Sequence, residues 1–87
     1  MNHLEIFIDG ASQGNPGHSG VGIVIFHQGL RIKNISNYIG KATNNVAEYT
    51  ALIYALEEAL LLKAKILKIN TDSQLLARQL NKVYKVR

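Results

Sequence analysis

The 87-residue chain carries only six acidic side chains, Glu5, Asp9, Glu48, Glu57, Glu58 and Asp72. Three stand where a carboxylate needs a reason. Asp9 closes the alternating run Leu4 to Ile8, which reads as a strand buried on at least one face. Glu48 enters the apolar arc of a helix in its first turn, whereas Glu57 and Glu58 fall about 180° and 280° round that helix, on the side read as wet. Asp72 ends a second apolar run, Ile66 to Thr71. If the first and last of these strands are parallel neighbours, Asp9 and Asp72 share a sheet edge and the covering helix brings Glu48 over them. Carboxylates gathered in this way repel one another unless a cation neutralises them, and such hard oxygen ligands suit Mg²⁺ or Mn²⁺. Each acid also has a plain structural use. Asp9 before Gly10 suits a turn, Glu48 can complete a capping box with Asn45, and Asp72 can cap a helix in place of Ser73. Their joint convergence favours the metal site.

The elements that must position these groups follow from pattern. Gly10 ends the first strand, and the stretch Gly10 to Gly20, rich in glycine and holding the single proline, reads as loop. Gly22 to His27 is a β-branched second strand. Gln28-Gly29 is a hairpin signal, and Leu30 to Ile39 returns as a third strand with a bulge or an end expected at Asn34-Ile35. Thr43, Asn44 and Asn45 supply caps for a helix to about Leu62, whose apolar arc at 100° per residue takes in Tyr49, Leu52, Ile53, Leu56, Ala59 and Leu60. Ile66 to Thr71 is the fourth strand, and Ser73 caps a short second helix to about Leu80. Tight hairpins make the first three strands antiparallel, and the helical crossover makes the fourth parallel to its neighbour.

Composition narrows the class. With 47% hydrophobic and 18% charged residues the chain is globular, not disordered. A chain of this length buries only about 60 to 65% of its unfolded surface, so the core is marginal unless a metal or a partner helps. There is no cysteine, which suits a cytoplasmic protein and excludes thiolate metal sites. The longest apolar stretch, Val46 to Leu62, is interrupted by three glutamates, and the start lacks a signal-peptide pattern, so a soluble, non-exported protein is expected. The net charge of +4 is uneven: residues 1–30 hold no Lys or Arg, while residues 63–87 hold seven. A basic half suits a polyanion partner as well as a solvated face. The glycine series fits neither nucleotide-binding fingerprint. Asn34-Ile35-Ser36 reads as a chance glycosylation match. His18 reads as an exposed loop histidine, with substrate contact as the alternative, and Tyr49 and Tyr54 as core and rim of the helix.

Ile8-Asp9-Gly10-Ala11-Ser12, Gly14-Asn15-Pro16-Gly17, Thr43-Asn44-Asn45-Val46-Ala47-Glu48 and Thr71-Asp72-Ser73-Gln74 resemble, in order and in element type, the successive signatures of type 1 ribonuclease H. The resemblance implies an α/β fold, a mixed sheet in the order 3-2-1-4-5 with helices on both faces, and cleavage of the RNA strand of RNA/DNA hybrids by two Mg²⁺ ions, with Mn²⁺ as substitute. It implies that Asp9, Glu48 and Asp72 are catalytic and bind metal, with Gly10 part of the metal site. It further implies that Ser12, Asn15, Asn44, Asn45 and Gln74 contact the hybrid in its minor groove and that Thr43 forms part of a phosphate pocket. Short amides that read 2′-hydroxyls and base edges distinguish RNA from DNA without demanding a sequence.

The resemblance covers the whole chain but about two thirds of a family domain. A single ribonuclease H-like domain over 1–87, C-terminally incomplete, is expected, lacking the fifth strand, the last helix, a fourth carboxylate and a histidine loop. No residue after Asp72 is acidic. The fourth strand would then be an open edge, to be covered in a homodimer or by a complementary C-terminal chain. Two readings compete: a hybrid endonuclease, incomplete in this chain, and a non-catalytic nucleic-acid-binding or assembly module that keeps the fold.

Overall fold

The structure is a computed structural model that describes residues 3–71 and the backbone of residues 83–85. Its strands are β1 (His3–Gly14), β2 (Gly17–His27), β3 (Leu30–Ala42), β4 (Ile66–Thr71) and β5 (Val83–Lys85), and one helix, α1 (Asn44–Leu61), joins β3 to β4. They form one sheet in the order β3-β2-β1-β4-β5. β1, β2 and β3 are antiparallel, and β4 runs parallel to β1 from His3–Ile66 to Ile8–Thr71, as the crossover helix requires.

Several expectations need correction. Gly10 does not stop β1. The glycine-rich stretch continues as strand, with Gly10 opposite Val21 and Gly14 opposite Gly17, so only Asn15-Pro16 is left at the turn. A fifth strand exists: Val83–Lys85 pairs antiparallel with Lys68 to Ile66 of β4, so the absence expected there does not hold. The register irregularities of β3 lie opposite Ser19/Gly20 and Ile25/Phe26, at Ile39 and Ile32, not at Asn34-Ile35. The second helix expected over Ser73 to Leu80 lies outside the described residues.

The core lies between the sheet and α1. Leu4, Ile6 and Ile8 of β1, Val21, Ile23 and Ile25 of β2, and Leu67 and Ile69 of β4 alternate onto the helix side and are buried. They meet Ala47, Ala51, Ala55 and Ala59 of α1, all buried. The helix therefore faces the sheet through its smallest side chains, at about 260° to 20° on the scale that puts Glu48 at zero. The arc read from the sequence was centred on the wrong stripe: Ile53, Leu56 and Leu60 are exposed. Alanines let the helix axis approach the sheet closely. Glu58 is also less wet than expected, with its side chain 15% exposed and its Oε2 2.7 Å from Lys33 Nζ on β3.

Candidate active site

The sheet has two faces, and Asp9 lies on the one that α1 does not cover. Ile8 and Gly10 are buried toward the helix, while Phe7 and Asp9 alternate onto the exposed face. Asp9 is therefore a mid-strand residue. It stands one position beyond the Ile8–Thr71 pair and opposite Gly22 of β2. It borders two open depressions, one reaching Asn70 and Thr71 on β4, the other running across β2 to Ser36 and Tyr38 on β3.

Glu48 arrives from the opposite face, and Gly10 explains how. A Cβ built at Gly10 would lie 2.4 Å from the carbonyl of Ala47 and 2.6 Å from the backbone nitrogen of Glu48. The first turn of α1 is thus seated directly on β1, at the residue after Asp9, which only glycine permits. The carboxylates of Asp9 and Glu48 are borne by backbone segments in contact, and Glu48 Oε2 is shielded from solvent.

The capping arrangement differs from the expected one. The helix N-cap is Thr43, whose Oγ1 accepts from Val46 N at 3.2 Å. Asn45 lies inside the first turn, so it cannot form the expected capping box with Glu48. The turn reading of Asp9 falls with the extension of β1. Asp72 and Gln74 lie outside the described residues. Among the described residues no group of three His, Cys, Asp or Glu side chains is poised for a metal. The two hard carboxylates borne on either side of this seat, Asp9 and Glu48, fit Mg²⁺ or Mn²⁺ in donor type.

Three of the residues expected to touch substrate form one hydrogen-bonded cluster. Asn44 Oδ1 accepts from Ser12 N at 2.9 Å, and Asn15 Oδ1 accepts from Asn44 N at 3.0 Å. Ser12 Oγ donates to the carbonyl of Ala42 at 2.8 Å and lies against the carbonyl of Gly14. The cluster ties the β1–β2 turn to the start of α1. It also orients both amides: each Oδ1 is engaged on a backbone N–H, and Nδ2 is the donor end of each amide. Asn45 is exposed beside them. Sequence reasoning missed the contact of His18 Nδ1 with Tyr38 Oη at 2.8 Å. His18 lies on β2, not in a loop, and nothing in its local sequence signals a partner twenty residues away.

No helix among the described residues is long and apolar enough to cross a membrane. Comparison with known proteins gives a consistent picture. Ribonuclease HI of Halobacterium salinarum is 44% identical over 78 residues, which are 88% of this chain and 39% of that protein. The crystal structure of RNase H1 from the same archaeon superposes with a TM-score of 0.85 at 42% identity, over 92% of this chain and 61% of that one. LC11-RNase H1, solved in complex with an RNA/DNA hybrid, gives a TM-score of 0.81 at 43% identity, over 97% of this chain and 64% of that one. The chain thus spans less than two thirds of the length of these relatives. The model of the RNase H family matches residues 1–87, and with the order of the sheet and the seating of α1 on Gly10 this places the chain in the RNase H family.

Proposed function

We propose that the protein is a metal-dependent endonuclease, or the hybrid-binding part of one, directed at the RNA strand of RNA/DNA hybrids. The observation that supports this is the seat at Gly10, which packs the first turn of α1, bearing Glu48, against the residue after Asp9, next to the hydrogen-bonded Ser12, Asn15 and Asn44 cluster. Asn15 and Asn44, with Oδ1 held internally, present N–H groups to minor-groove acceptors and 2′-hydroxyl oxygens. Asn45 and Ser12 flank them, and Thr43 at the helix N-terminus suits a phosphate. Asp9 and Glu48, with Asp72 and the backbone of Gly10, would hold Mg²⁺ or Mn²⁺, and Gln74 would extend the groove contacts. When bound, such ions activate the attacking water and stabilise the leaving 3′-oxygen.

A second reading, a hybrid-binding or assembly module without turnover, is favoured by one observation: among the described residues no group of three metal-ligating side chains is gathered. A partner for the outer face of α1, either a second copy or a complementary C-terminal chain, belongs to this proposal, as do a single domain over 1–87 and a cytoplasmic setting. The partner is supported by the exposed apolar side chains of α1. The test is cleavage of a labelled hybrid with Mg²⁺ and with Mn²⁺ beside a binding measurement on hybrid and on duplex DNA. Selective hybrid binding with cleavage supports the first reading, and selective binding without cleavage the second. Equal binding to duplex DNA sinks both.

A further inference from the structure

On the face of the sheet away from α1, a trough runs from Asp9 across β2 to His18 and Tyr38. Its floor is bare because Gly22 and Gly20 occupy it. Gly22 lies between Asp9 and Ser36 of the flanking strands, and Gly20 between Ala11 and Tyr38. Neither glycine is required by the backbone, since neither has a φ in the left-handed region. Nor is Gly22 required by packing: a Cβ there would meet nothing nearer than 4.0 Å, and at Gly20 the nearest atom is Asn37 O at 3.3 Å. Glycine within a strand costs conformational entropy, and it recurs where something else approaches the backbone closely.

The far end of the trough is a fixed pair. His18 Nδ1 and Tyr38 Oη are 2.8 Å apart, and the two rings lie 5.9 Å apart at 37°. The Tyr38 residue is nevertheless 67% exposed. A broad aromatic surface in water, held in one orientation by its hydroxyl, loses little freedom when a ligand lies on it. With Nδ1 engaged, Nε2 is the His18 nitrogen left for a ligand. Lys41 stands opposite His18 across the β2–β3 pairing and adds positive charge. Ser12, Gln13, Ser36 and Asn37 complete a polar lining, which suits a sugar–phosphate chain better than an apolar protein segment.

We propose that His18 and Tyr38 are positioning residues for the backbone of the bound hybrid, with the Tyr38 ring against a sugar and His18 Nε2, beside Lys41, at a phosphate. This rests on the functional reading above. His18 is four residues along β2 from Gly22, the partner of Asp9, so the two contact points are separated by about 13 Å, roughly four base-pair rises along a duplex. The pair would fix the direction of the duplex relative to Asp9.

The test uses the full chain and the hybrid as probe, with affinity measured by fluorescence anisotropy across salt concentration. Tyr38→Ala should weaken hybrid affinity about fivefold to tenfold, and His18→Ala, which removes the Nε2 contact and the hold on the Tyr38 hydroxyl, should weaken it as well. Gly22→Ala, which fits the fold without a clash, should leave the unfolding midpoint equal or higher while it weakens binding. A merely structural role would not separate these two readouts. The proposal is overturned if Tyr38→Ala and Gly22→Ala bind within twofold of the parent, or if Tyr38→Ala acts by lowering the unfolding midpoint. Failures are distinguishable: if Asn44→Ala weakens hybrid binding and Tyr38→Ala does not, only this inference falls. If the parent shows no preference for hybrid over duplex DNA, the functional reading falls first.

Discussion

Gly10 makes the strongest demand of any single residue. Adding one methyl group would drive it into the backbone of Ala47 and Glu48, and neither strand nor helix can yield locally because each is held by its neighbours. Gly10→Ala is expected to destabilise the fold by about 1 to 3 kcal/mol, as overpacked sites do, and to move Glu48 away from Asp9. Equilibrium urea unfolding beside hybrid binding reads both effects, and an unchanged midpoint would show that the first turn of α1 is not held there. The companion prediction concerns the cation. If Asp9 and Glu48 share a metal, Mg²⁺ at a hundred times its dissociation constant should raise stability by about 2.7 kcal/mol, and Asp9→Asn should remove that gain. A melting temperature insensitive to millimolar metal in the parent protein would rule the shared ion out. Asp9 and Glu48 stand out in the sequence because a carboxylate next to buried residues is conspicuous. The role of Gly10 as a seat was not, since a glycine after a strand looks like punctuation until the element packed upon it is known.

At the scale of the element, α1 shows where pattern reasoning succeeds and where it fails. Its bounds were read nearly to the residue from Thr43, Asn44 and Asn45 at one end and the loss of apolar period at the other. Its orientation was not, because counting large apolar residues picks the wrong side of a helix that meets its sheet through alanine. The glycine-rich part of β1 and β2 failed for a related reason: a long hairpin that needs close approach on both faces uses the same residue that loops use. The end of α1 carries a testable strain. Lys63 N donates to Leu60 O and Ala64 N to Ala59 O, the paired bonds of a Schellman motif, which sets Lys63 at the left-handed position with φ 55°. A lysine there gives up what glycine would supply at no steric cost. Lys63→Gly should stabilise the protein by about 0.5 to 1 kcal/mol, a rise of several degrees in Tm for a domain of this size. A lower Tm would mean that Lys63 makes a contribution that outweighs its backbone cost.

For the molecule as a whole, the question is which surfaces are finished. The order of β1 to β4 was legible because hairpin turns and one helical crossover leave few topologies. β5 was not, since three residues carry no usable period. Its pairing with Ile66 to Lys68 closes part of an edge that the sequence left open, so the expected assembly through β4 loses part of its basis. The outer face of α1 keeps its own. Val46, Tyr49, Ile53, Leu56 and Leu60 are spaced three and four apart, a heptad seam on the side opposite the alanine stripe. Ile53 is 55% and Leu60 64% exposed. A helix apolar on both sides is the pattern of one that is covered on both sides. The proposed partner, a second copy or a complementary chain, should therefore dock along this seam. In light scattering at micromolar concentration the chain alone is expected to self-associate, and Ile53→Glu with Leu60→Glu should return it to a monomer of unchanged helical content, since neither side chain supports the core. If the parent protein is monomeric at every concentration and unfolds cooperatively, the seam is tolerated in water and self-association along it is wrong. If the double variant unfolds, these residues contribute to the fold itself, and a separable docking surface is excluded.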